Sequence, residues 1–140
     1  MSKSELTRED IRRLTAEYIL LQNLIREIEQ RINVLNTTLS ELMTTRQTVE
    51  EVSKLKEGHQ LIVSIGSDVY LEVKVDKTNK FLVNLGAGTI VERPAEDTLR
   101  IIDTRIEDLR KALQDYQKNY NTLIARLSQI REILERIPQS

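Results

Sequence analysis

The sequence has no cysteine and no tryptophan, and only one phenylalanine, one histidine, two prolines and four glycines in 140 residues. Without cysteine the chain has neither disulfides nor thiolate metal ligands, which suits a reducing compartment. Large aromatic side chains are too few to fill a wide globular core. For a chain of about one domain's length, this composition favours long helices over a compact ball.

An excess of charge of one sign is also missing. The 21 basic and 22 acidic residues leave a net charge of -1, and the two signs are mixed along the chain. Nucleic-acid binding requires a basic stripe and stacking aromatic residues, so we expect no nucleic-acid partner. No apolar run is long enough to span a membrane, and the polar N-terminus is unlike a signal peptide. We expect a cytoplasmic protein with no membrane partner.

No set of residues predicts catalysis, a cofactor or a metal site. His59 is the only histidine, and no Glu-x-x-His pair of the di-iron type is present. Gly86-Ala87-Gly88 lacks the third glycine of the dinucleotide fingerprint and leads into a predicted strand instead of a helix. The sequence therefore predicts a protein that is not an enzyme and needs no cofactor.

The centre of the chain, Gln60 to Glu92, is the only stretch typical of β-structure. Four runs rich in β-branched and aromatic residues are separated by turn signals at 66–68, 76–79 and 86–88, which predicts two consecutive β-hairpins. Two hairpins bury no core of their own and leave open sheet edges, so we expect oligomerisation. The residues expected to hold the oligomer together are Val69, Leu71, Val73, Phe81, Val83 and Leu85.

Both flanking segments carry a heptad pattern, with apolar residues at alternating steps of three and four. The first seam is Ile11, Leu14, Tyr18, Leu21, Ile25, Ile28, Ile32, Leu35, Leu39, Leu42, Arg46 and Val49, where Arg46 is the one polar interruption. The second seam is Leu99, Ile102, Ile106, Leu109, Leu113, Tyr116, Tyr120, Leu123, Leu127, Ile130, Leu134 and Ile137. Thr7 is the expected N-cap of the first helix, and Pro94 is expected in the first turn of the second.

Two seams of equal length predict an antiparallel coiled-coil hairpin within one chain. Leu21 would then lie near Leu127 and Leu35 near Leu113, and Glu17 could pair with Arg126. The alternative is that each helical arm dimerises separately with another chain.

Several apolar residues lie off these seams, and five of the eight fall in the half of the hairpin away from the strands. They indicate either broader helix packing or scattered surface residues, or else an apolar surface that binds apolar ligands. These residues are Ile19, Leu20, Leu24, Val34, Met43, Ile101, Ile124 and Ile133.

The whole chain, from about residue 10 to 137, resembles the α class of the prefoldin family. The segment FLVNLGAGTIVERPAEDTLRIIDTRI is similar to the family's strand, glycine turn and strand that run into the second helix, including Val91-Glu92 and Ala95-Glu96-Asp97. LIVSIGSDVYLEVKV resembles the first hairpin, and two hairpins instead of one indicate the α class. Pro94 departs from the family pattern, because it leaves Arg93 as an unfavourable helix cap.

The resemblance implies an α+β fold: a long antiparallel coiled-coil hairpin of two helices, joined by two central β-hairpins that assemble into an intersubunit β-barrel. The corresponding segments are 1–57, 58–93 and 94–140. It also implies an ATP-independent chaperone in which two α-class and four β-class subunits hold unfolded polypeptides at the coiled-coil tips and deliver them to a group II chaperonin. The alternative is a structural coiled-coil tether or scaffold, oligomerised through its β-hairpins.

Client binding is expected at the end of the hairpin formed by the two chain termini, because terminal helical turns fray and expose seam residues. The residues expected to bind clients are Leu6, Ile11, Leu14, Leu20, Leu24, Ile124, Ile130, Ile133, Leu134 and Ile137.

Overall fold

A computed structural model describes residues 6–137, which form two long helices with four short strands between them. The elements are α1 (Arg8–Ser53), β1 (Gln60–Gly66), β2 (Val69–Lys74), β3 (Phe81–Asn84), β4 (Ile90–Arg93) and α2 (Ala95–Glu135). The predicted α+β class and the order helix, two hairpins, helix are confirmed. The outermost parts of the predicted terminal segments, residues 1–5 and 138–140, lie outside the described residues.

Helix α1 begins with a reciprocal cap. The backbone N–H of Asp10 donates to Thr7 Oγ1 at 3.0 Å, and the backbone N–H of Thr7 donates to Asp10 Oδ2 at 3.1 Å. These bonds lower the pKa of the Asp10 carboxyl, the backbone bond from Thr7 most of all. Each bond satisfies an N–H group that has no partner within the helix, so the predicted N-cap at Thr7 is confirmed.

Helix α2 begins differently from the prediction. Its first residue is Ala95, directly after Pro94, and the carbonyl of Pro94 accepts the N–H of Thr98 at 3.0 Å. The N–H of Ala95 donates to the side-chain oxygen of Asn79 at 2.8 Å. The cap is therefore supplied by the loop between β2 and β3 and not by Arg93, the residue next to Pro94.

The strands form two separate antiparallel hairpins. In β1–β2, Leu61 is opposite Val73 and Val63 is opposite Leu71, with a β-bulge between Ser64 and Gly66. In β3–β4 the register runs from Phe81 opposite Arg93 to Asn84 opposite Ile90. Among residues 6–137 each strand pairs with a single neighbour, so each has one free edge.

The turn between β1 and β2 fits the hairpin twist. Its two central residues, Ser67 and Asp68, have φ angles of 49° and 61°. Positive φ at both central residues is characteristic of the two-residue turns that match the right-handed twist of the strands.

By its contacts the chain forms two compact units. The first comprises the residues up to 38 together with those from 109 onward. Its core is formed by Leu21, Ile25, Leu127 and Ile130, and Ile130 has no accessible surface at all. Leu21 and Leu127 share this core, which confirms the predicted antiparallel pairing within one chain.

Polar contacts across the helices of this first unit follow the same antiparallel order. Nε and Nη2 of Arg126 donate to the two carboxylate oxygens of Glu17, at 2.8 and 2.9 Å, as predicted from the sequence. This pairing lowers the pKa of Glu17 and raises that of Arg126. Farther along α1, the hydroxyl of Tyr120 donates to Glu29 at 3.1 Å.

The second unit comprises residues 39–108. Its core contains Val49, Ala95, Ile102 and Ile106. Partly buried residues that pack against this core are Leu39, Leu42, Phe81 and Leu99. In both units the seam residues, Arg46 among them, are at least partly buried.

Candidate interaction surfaces

Among residues 6–137, no group of three or more histidine, cysteine, aspartate or glutamate side chains is placed to hold a metal ion. Over the same range, neither helix contains a stretch apolar enough to cross a membrane. The structure does present exposed apolar side chains, on the strands and along α1, and a partly apolar groove at one end of the helices.

The larger of these surfaces lies on the strands and their turns, and we call it the hairpin surface. A folded chain rarely exposes so many large apolar side chains together unless a partner covers them. Its members are Ile62, Val63, Ile65, Val69, Tyr70, Leu71, Leu82, Leu85 and Ile90.

The six residues predicted to hold an oligomer together divide into two groups. Val69, Leu71 and Leu85 are exposed and belong to the hairpin surface. Val73 is half-buried. Phe81 packs against the core of its own unit, and Val83 is only 7 % exposed, so these two side chains are already covered by their own chain.

Sequence reasoning missed the outward face of β3 and most of β1. Leu82, between Phe81 and Val83, is 73 % exposed, and Ile62 in β1 is 68 % exposed. Alternation shows that a strand has two different faces but not which face is covered. The available signal was the aromatic side chain of Phe81, which belongs on the side where helices can cover it.

The second surface lies in the first unit, at the end where α1 begins and α2 ends; we call this end the tip. A groove of about 580 Å³ opens there. It is lined by Ile11, Thr15, Tyr18, Arg131, Leu134, Glu135 and Ile137. Three of its apolar lining residues, Ile11, Leu134 and Ile137, are among those predicted to bind clients.

Arg131 places a fixed positive charge beside this groove. Its guanidinium donates to the hydroxyl of Tyr18 at 3.1 and 3.3 Å and lies 5.9 Å from the centre of that ring. The hydrogen bond with Tyr18, and more weakly the charge of Glu135, raise the pKa of Arg131. The groove thus combines apolar lining residues with the charged side chains of Arg131 and Glu135.

The other predicted client-binding residues differ in accessibility. Leu6, Leu20 and Leu24 are exposed, whereas Leu14, Ile124 and Ile133 are half-buried. Ile130 is completely buried in the core of the first unit. A client could contact Ile130 only where the two helices separate.

The off-seam apolar residues differ in exposure between the two helices. On α2, Ile101, Ile124 and Ile133 are half-buried, and Ile124 packs against the core. This is broader helix packing. On α1 the off-seam residues are all exposed, namely Ile19, Leu20, Leu24, Val34 and Met43.

Two helices paired within one chain, with two exposed β-hairpins between them, define an α+β class of helical-hairpin protein. Comparison with known proteins identifies the family: the family model for prefoldin subunits matches residues 21–140. The chain belongs to the prefoldin family.

The individual relatives assign it to the α class. It is 34% identical to the prefoldin subunit alpha of Pyrobaculum calidifontis, over 94% of this chain and 96% of that protein. It is 25% identical to the prefoldin subunit alpha of Thermofilum pendens, over 84% of this chain and 92% of that protein. Among solved structures, the cryo-EM structure of filamentous PFD from Methanocaldococcus jannaschii matches with a TM-score of 0.69 at 24% identity, covering 90% of this chain and 99% of that one.

Proposed function

We propose that this prefoldin-family chaperone subunit holds unfolded polypeptides at its tip, without nucleotide, and delivers them to a group II chaperonin. Membership of the prefoldin family supports the chaperone class. The observation that carries the finer proposal is the tip groove, where half-buried apolar side chains from both helices surround an open space. The cytoplasmic location stays a prediction from the sequence.

The physical basis of client binding is the covering of apolar surface. An unfolded polypeptide displays apolar side chains, and removing them from water contributes about 25 cal/mol per Å². One tip offers a small area, so a single contact is weak and reversible. Several tips on one complex raise the overall affinity, because the second contact forms at a high effective concentration.

The same proposal assigns the hairpin surface to assembly. Two α-class subunits and four β-class subunits would join their hairpins into a β-barrel body, so that exposed residues such as Leu71, Leu82 and Ile90 become covered. Support comes from the free strand edges and from the exposed apolar side chains beside them.

The tip is tested by a variant in which six apolar residues there are changed to serine: Leu6, Ile11, Leu14, Ile133, Leu134 and Ile137. We expect this variant to assemble normally but to lose suppression of client aggregation, measured by light scattering of a chemically unfolded protein. The matched control changes Val34 and Met43 to serine, since both are exposed apolar residues of α1 outside the tip groove. The control should protect clients fully.

Native mass, measured on each variant, separates client binding from assembly. If the six-residue variant has normal native mass and still suppresses client aggregation fully, the tip proposal is contradicted. Client binding would then be assigned to the hairpin surface. A structural tether, the alternative function, would protect no unrelated client even as the unmodified protein.

A further inference from the structure

The outer surface of α1 carries a second row of residues beside its seam, which we call the lateral stripe. Its members recur at alternating steps of four and three, so they lie on one face of the helix. With Ile11 as heptad position a, they occupy positions c and g. All six are exposed, and they combine apolar with charged side chains. They are Leu20, Leu24, Glu27, Arg31, Val34 and Thr38.

A groove of about 520 Å³ lies beside the middle of the lateral stripe. Glu27, Arg31 and Val34 line it, together with the seam residues Leu35 of α1 and Tyr116 of α2. All of these residues belong to the first unit. The stripe therefore borders an open space that side chains of a further helix can enter.

The two charges of the stripe are available to a partner. Among residues 6–137, neither Glu27 nor Arg31 takes part in a side-chain hydrogen bond or an ion pair. Glu17, at the preceding g position of the same helix, is instead bound by Arg126. An acidic and a basic residue one helical turn apart can form two ion pairs with an identical helix that runs in the opposite direction.

The order of residues along the stripe is complementary to itself when two copies of α1 pack antiparallel. The centre of this arrangement is at the level of Glu29. Each charge then lies opposite a charge of the other sign, and an apolar pair flanks the two ion pairs on either side. The facing pairs are Glu27 with Arg31, Leu24 with Val34, and Leu20 with Thr38.

Other arrangements of two copies are poorer. In a parallel arrangement Glu27 lies opposite Glu27 of the second copy and Arg31 opposite Arg31, so like charges meet. An antiparallel shift by one heptad places either Leu24 opposite Glu27 or Val34 opposite Arg31. Each shift leaves an apolar side chain against a charged one. The charges thus select a single direction and a single register.

We propose that the lateral stripe is a contact surface for a second copy of this chain, whose α1 packs against it antiparallel in this register. The contact is isologous, so it closes as a pair. It ends at Leu20 and Thr38, because the next facing residues, Glu17 and Glu41, are both acidic. A contact of this length is weak and reversible. It involves neither the tip nor the hairpin surface, so it does not rest on the proposed function.

Charge reversal tests the register. Glu27→Arg places two pairs of like charges in the contact, and so does Arg31→Glu, so either variant should associate about tenfold more weakly than the unmodified chain. Both changes exchange one good helix former for another, so the helix content seen by circular dichroism should stay unchanged. Sedimentation equilibrium of the full-length chain over a range of concentrations measures the association as a reversible doubling of mass.

An equimolar mixture of these two variants provides the sharper test. In a mixed pair every basic residue of Glu27→Arg faces an acidic residue of Arg31→Glu, so the mixture should associate about as strongly as the unmodified chain. The double variant, with both reversals in one chain, should regain association for the same reason. Single variants that associate as strongly as the unmodified chain, or a mixture that stays as weak as its components, overturn the proposal.

A matched pair of substitutions tests the apolar part of the contact. Val34 and Ile19 are both exposed on α1, at 64 % and 54 %, but only Val34 belongs to the stripe. Val34→Asp should weaken association about tenfold, whereas Ile19→Asp should leave it unchanged. Equal effects of the two substitutions overturn the proposal. Loss of client protection by Val34→Asp at unchanged association also overturns it, since the stripe would then bind clients.

Discussion

The side chain of Asn79 caps helix α2, 16 residues further along the chain, by accepting the backbone N–H of Ala95 at 2.8 Å. Neighbouring residues supply no such acceptor, because Pro94 and Arg93 precede the helix. The loop between the two hairpins is thereby attached to the start of α2.

Removing this cap should destabilise the protein. We expect Asn79→Ala to lower the free energy of unfolding by about 1 kcal/mol, the usual effect of losing a helix N-cap. Asn79→Asp should retain most of the stability, since a carboxylate accepts the same hydrogen bond and suits the helix N-terminus. Urea unfolding, monitored by circular dichroism, measures the stability of both variants. The control is Asn36→Ala, at an exposed position of α1. Equal stability of Asn79→Ala and Asn36→Ala would contradict the capping role.

A disulfide can test the pairing of the helices in solution. Leu21 and Leu127 lie in one buried cluster, so cysteines at both positions should form an intrachain bond under mild oxidation. The control pairs Leu20→Cys with Leu127→Cys, because Leu20 is exposed on the outer side of α1. Mass spectrometry of proteolytic fragments identifies the bond. Links found only between chains would instead support separately dimerising arms.

Substitution by aspartate should have different effects at two adjacent residues of β3, one buried and one exposed. Val83→Asp places a carboxylate in the unit's own core and should cost several kcal/mol, enough to unfold much of the protein. Leu82→Asp combined with Leu71→Asp changes only exposed side chains. The helix content and the melting temperature of the isolated chain should therefore stay unchanged, while assembly with other subunits is lost. Circular dichroism and native mass distinguish the two outcomes. A folded Val83→Asp variant would show that its side chain is not core.

The ion pair between Arg46 and Asp103 should make stability depend on acid pH. Arg46 donates to both carboxylate oxygens of Asp103, and this hydrogen bonding lowers the Asp103 pKa below its ordinary value of 3.8. Because the Asp103 pKa is lower in the folded state, the ion pair contributes fully to the free energy of unfolding above pH 3.8. This contribution disappears as the pH falls through the lowered pKa.

We therefore expect the unmodified protein to lose stability more steeply below pH 4 than Arg46→Leu does. Urea midpoints measured from pH 7 down to pH 2 give the comparison. The matched control is Asp103→Asn, which should flatten the same part of the curve. Parallel curves for all three proteins would show that the pair contributes nothing.

The fully buried Ile130 and the exposed Ile19 offer a direct measure of the core of the first unit. Ile130→Ala leaves a cavity and should lower the free energy of unfolding by about 2–5 kcal/mol. Ile19→Ala, at a residue 54 % exposed, should change it by no more than about 0.5 kcal/mol. Thermal and urea unfolding give both values. A small effect at Ile130 would mean that the helices are already separated there.

Regular patterns made much of the fold predictable. The heptad seams depend only on the helical repeat, and the seam residues are at least partly covered. Strand runs bounded by Gly66 and Gly86 likewise gave two hairpins, because turn residues and alternation are local signals. The ion pair between Glu17 and Arg126 followed once the antiparallel register was assumed.

Contacts between residues distant in sequence were not predictable. No local rule connects Asn79 with Ala95, and no pattern shows that Asp103 compensates the polar seam residue Arg46. The covered face of β3 depends on where α1 and α2 pack, and alternation along the strand alone does not identify it. Val83, predicted to hold an oligomer together, is buried within its own chain, and the exposed neighbour Leu82 was not predicted.

The pairing of α1 with α2 also affects how this chain is made. Leu21 and Leu127 pack together but are 106 positions apart, the difference between their residue numbers. At about 5–20 residues per second, a ribosome needs on the order of 5–20 s to synthesise that interval. Until α2 has emerged from the ribosome, the apolar seam of α1 lacks its partner helix. During its own synthesis, a protein proposed to hold unfolded polypeptides is itself unfolded.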